Sequence, residues 1–288
     1  MKLYYYNAQE NGFKLGNFGD DLNPWIWHRV IPELFEGQSD SKLFVGIGTL
    51  LNDFLPPEPT KIIFGSGAGY GKVNVQNDRF KIYFVRGRLT SKLLGISDEK
   101  AITDPAILVK SLYQKADTKK RYKTSYMPHH LESEMNREGW QQICADCGVN
   151  YIDPGNSVEQ VLNDISATDV LFTEAMHGAI IADAFRVPWV PMVTNEKILE
   201  FKWRDWMDGL GIAYEPRRIK RLYKGISKQI FPKLPKYIDY QLICRQFKST
   251  LKNAQPLLSS DSKSEALHEK VYLQIEQLKT DYAAGLLS

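Results

Sequence analysis

Short apolar runs alternate with amphipathic stretches over the first 210 residues, and few folds accommodate such an alternation. The apolar runs predict strands at 2–6, 43–47, 61–65, 81–85, 123–127, 149–152, 169–173 and 188–192. The amphipathic stretches predict helices at 20–35, 89–95, 105–113, 131–147, 157–165, 178–186 and 196–210. This order is typical of βα units on mostly parallel sheets, so we predict an α/β fold.

A polar, charged segment at 114–123 divides this pattern into two halves. It has no apolar periodicity, which is typical of a domain boundary. A chain of 288 residues is long enough to bury a core in each half. We therefore predict Rossmann-like domains at 1–115 and 123–215 with a cleft between them, followed by a basic helical extension at 216–288.

The extension opens with a strongly basic segment. Residues 216–236 hold eight Lys and Arg residues and no acidic residue, interleaved with apolar side chains. Two interpretations stay open: a solvated helix face, or a surface that contacts an anionic membrane. A final amphipathic helix is predicted at about 262–283, packed against the rest of the chain.

The overall composition argues against several classes of protein. The net charge of +3 is too small to indicate a nucleic-acid partner. No window approaches the ~20 apolar residues of a membrane span, and the first residues lack the pattern of a secretory signal. Three cysteines do not make a disulfide framework in a chain of this length. We therefore expect a cytoplasmic protein.

Cys144 and Cys147 form a Cys-x-x-Cys pair, a spacing found in zinc and redox sites. They lie in the last turns of a predicted helix that Gly148 ends, and their spacing puts both thiols on one helix face. No second pair completes a tetrahedral site. We interpret both thiols as packing residues and expect neither a metal site nor a bound cofactor.

Ligands of open α/β sheets bind beyond the carboxyl ends of the strands, so those junctions are the candidate sites. The loop after the first strand carries Asp20 and Asp21 at the start of a helix. Either can cap the helix, and one can instead face the cleft as a base or a sugar-hydroxyl acceptor. Gly48 and Gly67 lie in loops where N–H groups can approach an anion or simply form tight turns.

Two further junctions carry cationic or titratable side chains. Arg86 ends a predicted strand, where a guanidinium can bind phosphate or carboxylate, whereas Arg88 also fits an exposed ion pair. His177, followed by Gly178, opens a helix and lies beside its N–H groups and the positive end of its dipole. That placement favours a functional histidine. His129 or His130, after the strand at 123–127, can line the same cleft.

Taken in order, these segments resemble the polysaccharide pyruvyltransferase family, and the opening residues look most like the ketalases of bacterial exopolysaccharide assembly. The matching segments are Asn17–Asp20, Gly46–Gly48, Gly65–Gly67, Val85–Arg86 with Leu93–Leu94, Asp104–Ala106 and His177–Gly178 through Pro188. The resemblance implies a GT-B-like pair of domains with the site between them. It also implies phosphoenolpyruvate as co-substrate, a sugar diol as acceptor, often on a lipid-linked oligosaccharide, and a cyclic pyruvate ketal as product.

Within that resemblance we assign roles to the junction residues. His177 acts as the proton donor or orients it, and Asp20 contacts or deprotonates the acceptor. The donor is bound by cations, a histidine and loop amides, namely Arg86, Arg88, Gly48, Gly67, Gly178 and His129.

The chain departs from the family pattern beside its histidine. The family carries Arg two residues before that histidine, where this chain has Ala175, and Gly87 stands where Asp often follows the strand-end Arg. One donor-binding cation is then either absent or supplied from elsewhere, and the candidate substitutes are Arg88, Arg186, Lys197, Lys202 and Arg204.

Two other functions stay open. One is a glycosyltransferase that uses a nucleotide sugar in the same cleft, and the other is a non-catalytic sugar- or membrane-binding relative. Four tryptophans can stack on sugar rings, although we favour a core position for Trp25, Trp27, Trp203 and Trp206.

Overall fold

The computed structural model describes residues 1–37, 39–72, 74–114, 119–195, 198–222 and 234–287. Its strands form two sheets in which every pairing is parallel. The first sheet has the order β1-β2-β3-β4, with β1 (Lys2–Tyr4), β2 (Lys42–Val45), β3 (Thr60–Phe64) and β4 (Phe80–Phe84). The second has the order β6-β5-β7-β8-β9, with β5 (Tyr122–Met127), β6 (Asn150–Tyr151), β7 (Thr168–Thr173), β8 (Trp189–Val193) and β9 (Arg217–Arg218).

Nine α-helices are found in the described residues. They are α1 (Phe18–Val30), α2 (Arg88–Leu94), α3 (Val109–Leu112), α4 (His130–Cys147), α5 (Val158–Ser166), α6 (Met176–Ala184), α7 (Glu200–Leu210), α8 (Leu234–Asn253) and α9 (Asp261–Ala283). The local sequence explains several of their ends. Ser157 caps α5 and Ser260 caps α9 through their hydroxyls, and α2, α4 and α7 each end at a left-handed glycine.

The largest apolar core is shared by the two sheets. On the first sheet it contains Phe44 and Phe64, whose rings contact Trp27 of α1 edge-on at 4.9 and 5.5 Å. On the second sheet it contains Leu171 and Trp189. Helix α1 packs against α5 and α6, so these helices lie between the sheets. Two smaller cores cover the outer faces, one beside α4 and α8 and one behind the first sheet.

The α/β class and all eight predicted strands are confirmed, with ends that differ by two residues at most. The helix predicted at 20–35 stops at Val30, because a short 3₁₀ turn that begins at Pro32 follows it. The helix at about 262–283 is confirmed as α9, which packs on β4 and on the 3₁₀ turn Pro105–Leu108. The GT-B-like arrangement and the domain boundaries stay predictions.

The C-terminal extension holds more structure than its sequence predicted. It contributes β9 to the second sheet and the 20-residue helix α8, whose Phe247 packs on Tyr126 and Trp140. Most of the basic segment at 216–236 lies outside the described residues, and its contact with a membrane stays a prediction. Within the described ranges no helix is both long and apolar enough to cross a bilayer.

The three cysteines are free thiols, and the packing interpretation of Cys144 is confirmed by its burial in the core beneath α4 and α8. Burial also raises the pKa of the Cys144 thiol. No group of three or more His, Cys, Asp or Glu residues within the described part of the chain is arranged to hold a metal ion.

Candidate active site

The site begins with a buried asparagine that fastens the loop after β2 to helix α1. Asn23 Oδ1 accepts hydrogen bonds from the N–H of Ile47 (2.8 Å) and from Trp27 Nε1 (3.1 Å). Asn23 Nδ2 donates to the carbonyls of Ile47 and Asp20. Because these bonds satisfy both ends of the amide, the loop at 46–49 is held against the first turn of α1.

Arg86 lies two residues beyond β4, and its guanidinium is fully buried. Its Nε donates to Asp205 Oδ2 at 3.1 Å and its Nη1 to Thr49 Oγ1 at 3.1 Å. Its Nη2 has no hydrogen-bond partner in the part of the chain that the structure describes. A buried guanidinium N–H is costly to leave unpaired, which makes this atom a candidate donor to an anionic ligand.

Two neighbours hold Arg86 in this position. Asp205, on α7, also accepts hydrogen bonds from the N–H and the hydroxyl of Thr90 (2.9 and 2.6 Å), which fixes its carboxylate. Gly67 lies directly against the guanidinium, since a Cβ there would be 2.2 Å from Arg86 Cζ. Gly67 therefore makes room for the arginine, in the loop where the sequence predicted an anion site.

His177 lies in the first turn of α6 and faces a buried carboxylate. Its Nε2 is 3.5 Å from Asp104 Oδ2, and neither atom has a hydrogen bond to a described residue. The other oxygen of Asp104 accepts from the N–H of Ala106 at 3.0 Å. Gly19 of α1 packs on the opposite side of the ring, where a Cβ would lie 2.1 Å from Nδ1. The imidazole is thus held between α1 and Asp104.

Asp20 lies beside this histidine, in the first turn of α1, against the loop that Asn23 fastens. Burial raises the pKa of Asp20 to about 6, although His177 and Lys202 act in the opposite direction. Asn17 Nδ2 donates a short hydrogen bond to Asp20 Oδ2, and a Cβ at Gly48 would lie 3.6 Å from Asp20 Oδ1. The carboxylate therefore titrates close to neutral pH, which suits a proton carrier.

Lys202 of α7 brings a second cation to the same place. Burial and the positive charge of Arg86 lower its pKa to about 8, while Asp20 raises it. Among the four candidate substitutes for the family arginine that the structure describes, Lys202 is the one that lies near both Arg86 and Asp20. Arg204 pairs with Glu200, Arg186 binds Ser259, and Lys197 lies outside the described residues.

His129 lies near Lys202, but its ring also has a structural role. Nδ1 accepts from the N–H of Leu131 at 3.3 Å and caps helix α4. Burial, followed by the charge of Lys202, lowers the pKa of both His129 and His130, the latter to about 4. Both rings are therefore neutral at physiological pH.

Glu174, at the end of β7, was not predicted from the sequence as a site residue. Its carboxylate is fully buried and accepts hydrogen bonds from the N–H groups of Thr194 and His129, the second at 3.3 Å. Burial, with a contribution from Glu132, raises its pKa to about 7. Glu174 thus connects the backbone that follows β5, at His129, with the backbone that follows β8, at Thr194.

Two predicted donor residues lie in other surroundings. Arg88 is exposed and faces Asp208, with 3.9 Å between Nη1 and Oδ2. Gly178 packs α6 onto the sheet, because a Cβ there would lie 2.8 Å from Met127 Sδ and 2.9 Å from Thr173 Oγ1. The structure therefore brings Asp20, His177, Arg86, Gly48 and Gly67 together, and their assignment to the reaction stays a prediction.

Comparison with known proteins gives the class of protein. Residues 2–196 match the profile of the polysaccharide pyruvyl transferase family, so the chain belongs to this family and the predicted resemblance is confirmed. The chain is also 42% identical over 222 residues to the succinoglycan biosynthesis protein ExoV of Rhizobium meliloti (strain 1021). That alignment covers 76% of this chain and 68% of ExoV. Lys202 and Asp205 lie beyond the segment that matches the family.

Proposed function

We propose that the protein transfers a pyruvyl group from phosphoenolpyruvate onto two hydroxyls of a sugar in an exopolysaccharide or its lipid-linked precursor, forming a pyruvate ketal. The observation that carries the proposal is the meeting of two cations, Arg86 and Lys202, with Asp20 and the His177–Asp104 pair. Family membership and the similarity to a succinoglycan biosynthesis protein support the same reaction.

The cations fit the donor. Phosphoenolpyruvate carries a phosphate and a carboxylate, and both bind well to charged N–H donors. Arg86 Nη2 is the unpaired donor atom, and Lys202 supplies the second charge. Because both groups are held in a partly dehydrated site, their interaction with a polyanion is stronger than it would be in water.

The reaction requires one proton on carbon and the loss of two hydroxyl protons. Protonation of the donor's methylene carbon gives a methyl group and an oxocarbenium-like neighbour, which one sugar hydroxyl attacks. Phosphate leaves with its bridging oxygen, and the second hydroxyl closes the ketal. One hydroxyl proton replaces the proton given to the carbon and the other leaves on the phosphate.

Named residues of the site can perform these steps. His177 delivers the proton, and Asp104, with its Oδ2 3.5 Å from Nε2, orients the imidazole ring. Asp20, with a pKa of about 6, takes a hydroxyl proton at neutral pH and gives it up readily. The leaving phosphate remains paired with Arg86 and Lys202 as its charge increases.

Thermal unfolding with phosphoenolpyruvate, and separately with a nucleoside diphosphate, tests the donor. A ligand at about 100 times its Kd adds ~2.7 kcal/mol of stability, a shift of several degrees in Tm. We expect this shift with phosphoenolpyruvate alone, and mass spectrometry of a sugar acceptor should show an added pyruvate ketal. A shift with the nucleotide alone would instead favour glycosyl transfer.

A double variant locates the anion site without leaving a lone buried charge. Arg86→Met with Asp205→Asn removes both charges of the buried pair. The double change is needed because Arg86→Met alone would leave the Asp205 carboxylate buried without a cation. We expect the shift with phosphoenolpyruvate to disappear in this variant. Arg79→Met with Glu58→Gln is the matched control, since that pair is exposed, with 2.9 Å between its charged groups, and precedes β3 and β4, at the opposite end of these strands from the site. Equal shifts in both double variants would contradict the assignment of Arg86.

A further inference from the structure

Three exposed aromatic side chains lie at one edge of the first sheet. Tyr6, Phe54 and Tyr70 follow β1, β2 and β3 and are 37%, 83% and 47% exposed. Among the other Phe, Tyr and Trp side chains whose exposure the structure describes, only Tyr272 and Tyr282 on α9 are comparably exposed. Because the strands are parallel, the loops that follow them meet at the edge where ligands of α/β sheets bind.

The loop after β3 is built to present Tyr70. Gly69 and Gly71 flank it with φ values of +135° and +67°, a region that other residues rarely adopt. A Cβ at Gly71 would lie 2.2 Å from Asp53 Oδ2, and Asp53 Oδ1 accepts from the N–H of Lys72 at 2.9 Å. The exposed ring is therefore held by a fixed loop.

The two neighbouring aromatic residues are also fixed by their backbones. After Tyr6 the chain turns at Asn7, whose Oδ1 accepts from the N–H groups of Gln9 and Glu10 at 3.1 and 3.3 Å. The carbonyl of Phe54 accepts from the hydroxyl of Tyr4 at 3.2 Å, at the end of β1. All three residues thus lie in loops at the same edge of the first sheet.

Tyr6 and Tyr70 lie within electrostatic reach of Asp20. Burial and the Asp20 carboxylate raise the pKa of Tyr6. Burial also raises the pKa of Tyr70, against the effect of Arg86 and together with that of Asp20. The four tryptophans considered as sugar-stacking residues are all buried in the core, as the sequence predicted, and none of them is exposed to a sugar.

We infer that Tyr6 and Tyr70 form the subsite for the acceptor sugar, with Phe54 in contact with the next sugar unit. A pyranose ring has apolar C–H faces and a rim of hydroxyls, so aromatic rings above a carboxylate match both surfaces. Arg86 is fully buried while these rings are exposed. The anionic donor therefore binds beneath, and the sugar covers it. The assignment to a sugar rests on the proposed function.

Saturation-transfer NMR tests the subsite without requiring turnover. The probes are the methyl glycosides of glucose, galactose and mannose, with cellobiose and lactose as disaccharides. Irradiation of tyrosine ring protons should transfer saturation to the C–H groups of at least one probe in the wild-type protein. We expect a loss of about fivefold in Tyr70→Ala and in Tyr6→Ala, and retention in Tyr70→Phe, which keeps the ring.

Tyr272→Ala is the matched control, because this equally exposed tyrosine lies on α9. The inference is overturned if no probe receives saturation in the wild-type protein, or if the transfer is unchanged in both alanine variants. Thermal unfolding of the same samples with phosphoenolpyruvate distinguishes the sugar subsite from the proposed pyruvyl transfer. Saturation transfer to a sugar without a Tm shift from phosphoenolpyruvate would support the sugar subsite and contradict pyruvyl transfer. A Tm shift without saturation transfer would support binding of the donor and contradict the sugar subsite.

Discussion

The Asp20 carboxylate lies in the candidate site, and its burial there disfavours the charged form. Burial raises its pKa from 3.8 to about 6. An acid with a higher pKa in the folded state binds protons more tightly when folded, so its contribution to the unfolding free energy falls between about pH 4 and pH 6. Above about pH 6 the unfolding free energy is lowered by a constant amount.

Asp20→Asn should therefore make the protein more stable and less active at neutral pH. We expect the unfolding free energy of the variant to exceed that of the wild type by about 3 kcal/mol at pH 7, with the difference disappearing near pH 4. Turnover should fall by about 10²–10⁴-fold. Urea denaturation between pH 4 and pH 8 measures the first effect.

Asp40→Asn is the control, because this carboxylate is exposed and pairs only at the surface with Lys2. The raised pKa of Glu174 also lowers the unfolding free energy as the pH rises to about 7. This effect is the same in the wild type and in Asp20→Asn. A difference between wild type and Asp20→Asn that does not change with pH would contradict the buried, neutral form of Asp20.

The residues of the site differ in how far the sequence could reveal them. Asp20, Arg86 and His177 follow strands, and strand ends are where ligands bind, so their position alone pointed to them. Glu174 also ends a strand, but its role depends on N–H groups of Thr194 and His129, which come from other elements. Periodicity does not show which distant backbone groups a carboxylate will meet.

At the scale of elements, α7 connects the donor site to the second half of the chain. The helix packs on α2 and supplies Asp205 to the buried pair and Lys202 to the cation cluster. Its sequence predicted a helix, yet could not distinguish Lys202 from Arg204 as the inward cation, because both lie on the same short helix. Packing of α7 against α2 distinguishes the two: Lys202 is partly buried, whereas Arg204 is exposed.

Lys202→Met should weaken donor binding and leave the fold intact. We expect the KM for phosphoenolpyruvate to rise about tenfold or more, since a charge-assisted hydrogen bond is lost. Stability should not fall, because the variant removes a cation whose pKa is already lowered by burial and by Arg86. Steady-state kinetics at several donor concentrations measures the first effect and thermal unfolding the second.

Arg204→Met provides the comparison on the same helix, since Arg204 is exposed and pairs with Glu200 at 3.2 Å. An unchanged donor KM in Lys202→Met, or an equal rise in both variants, would show that Lys202 does not replace the arginine absent at Ala175.

At the scale of the whole molecule, the two halves share their largest core. The sequence indicated a division at 114–123, because that segment is polar and aperiodic. It could not show that α1, from the first half, packs against α5 and α6 of the second, since such contacts join residues far apart in the chain. The N–H of Phe18, at the start of α1, also donates to the carbonyl of Pro154 at 2.8 Å.

This shared core predicts a single cooperative unfolding transition. Ile26 of α1 is fully buried in it, and Ile26→Ala should cost about 2–5 kcal/mol through lost burial and the cavity left behind. Because α1 lies between the sheets, hydrogen exchange should accelerate equally in β3 and in β7. Leu93→Ala, at an exposed position of α2, should leave both strands protected. Faster exchange in β3 alone would mean that the halves unfold independently, and a site assembled from both would then open whenever either half does.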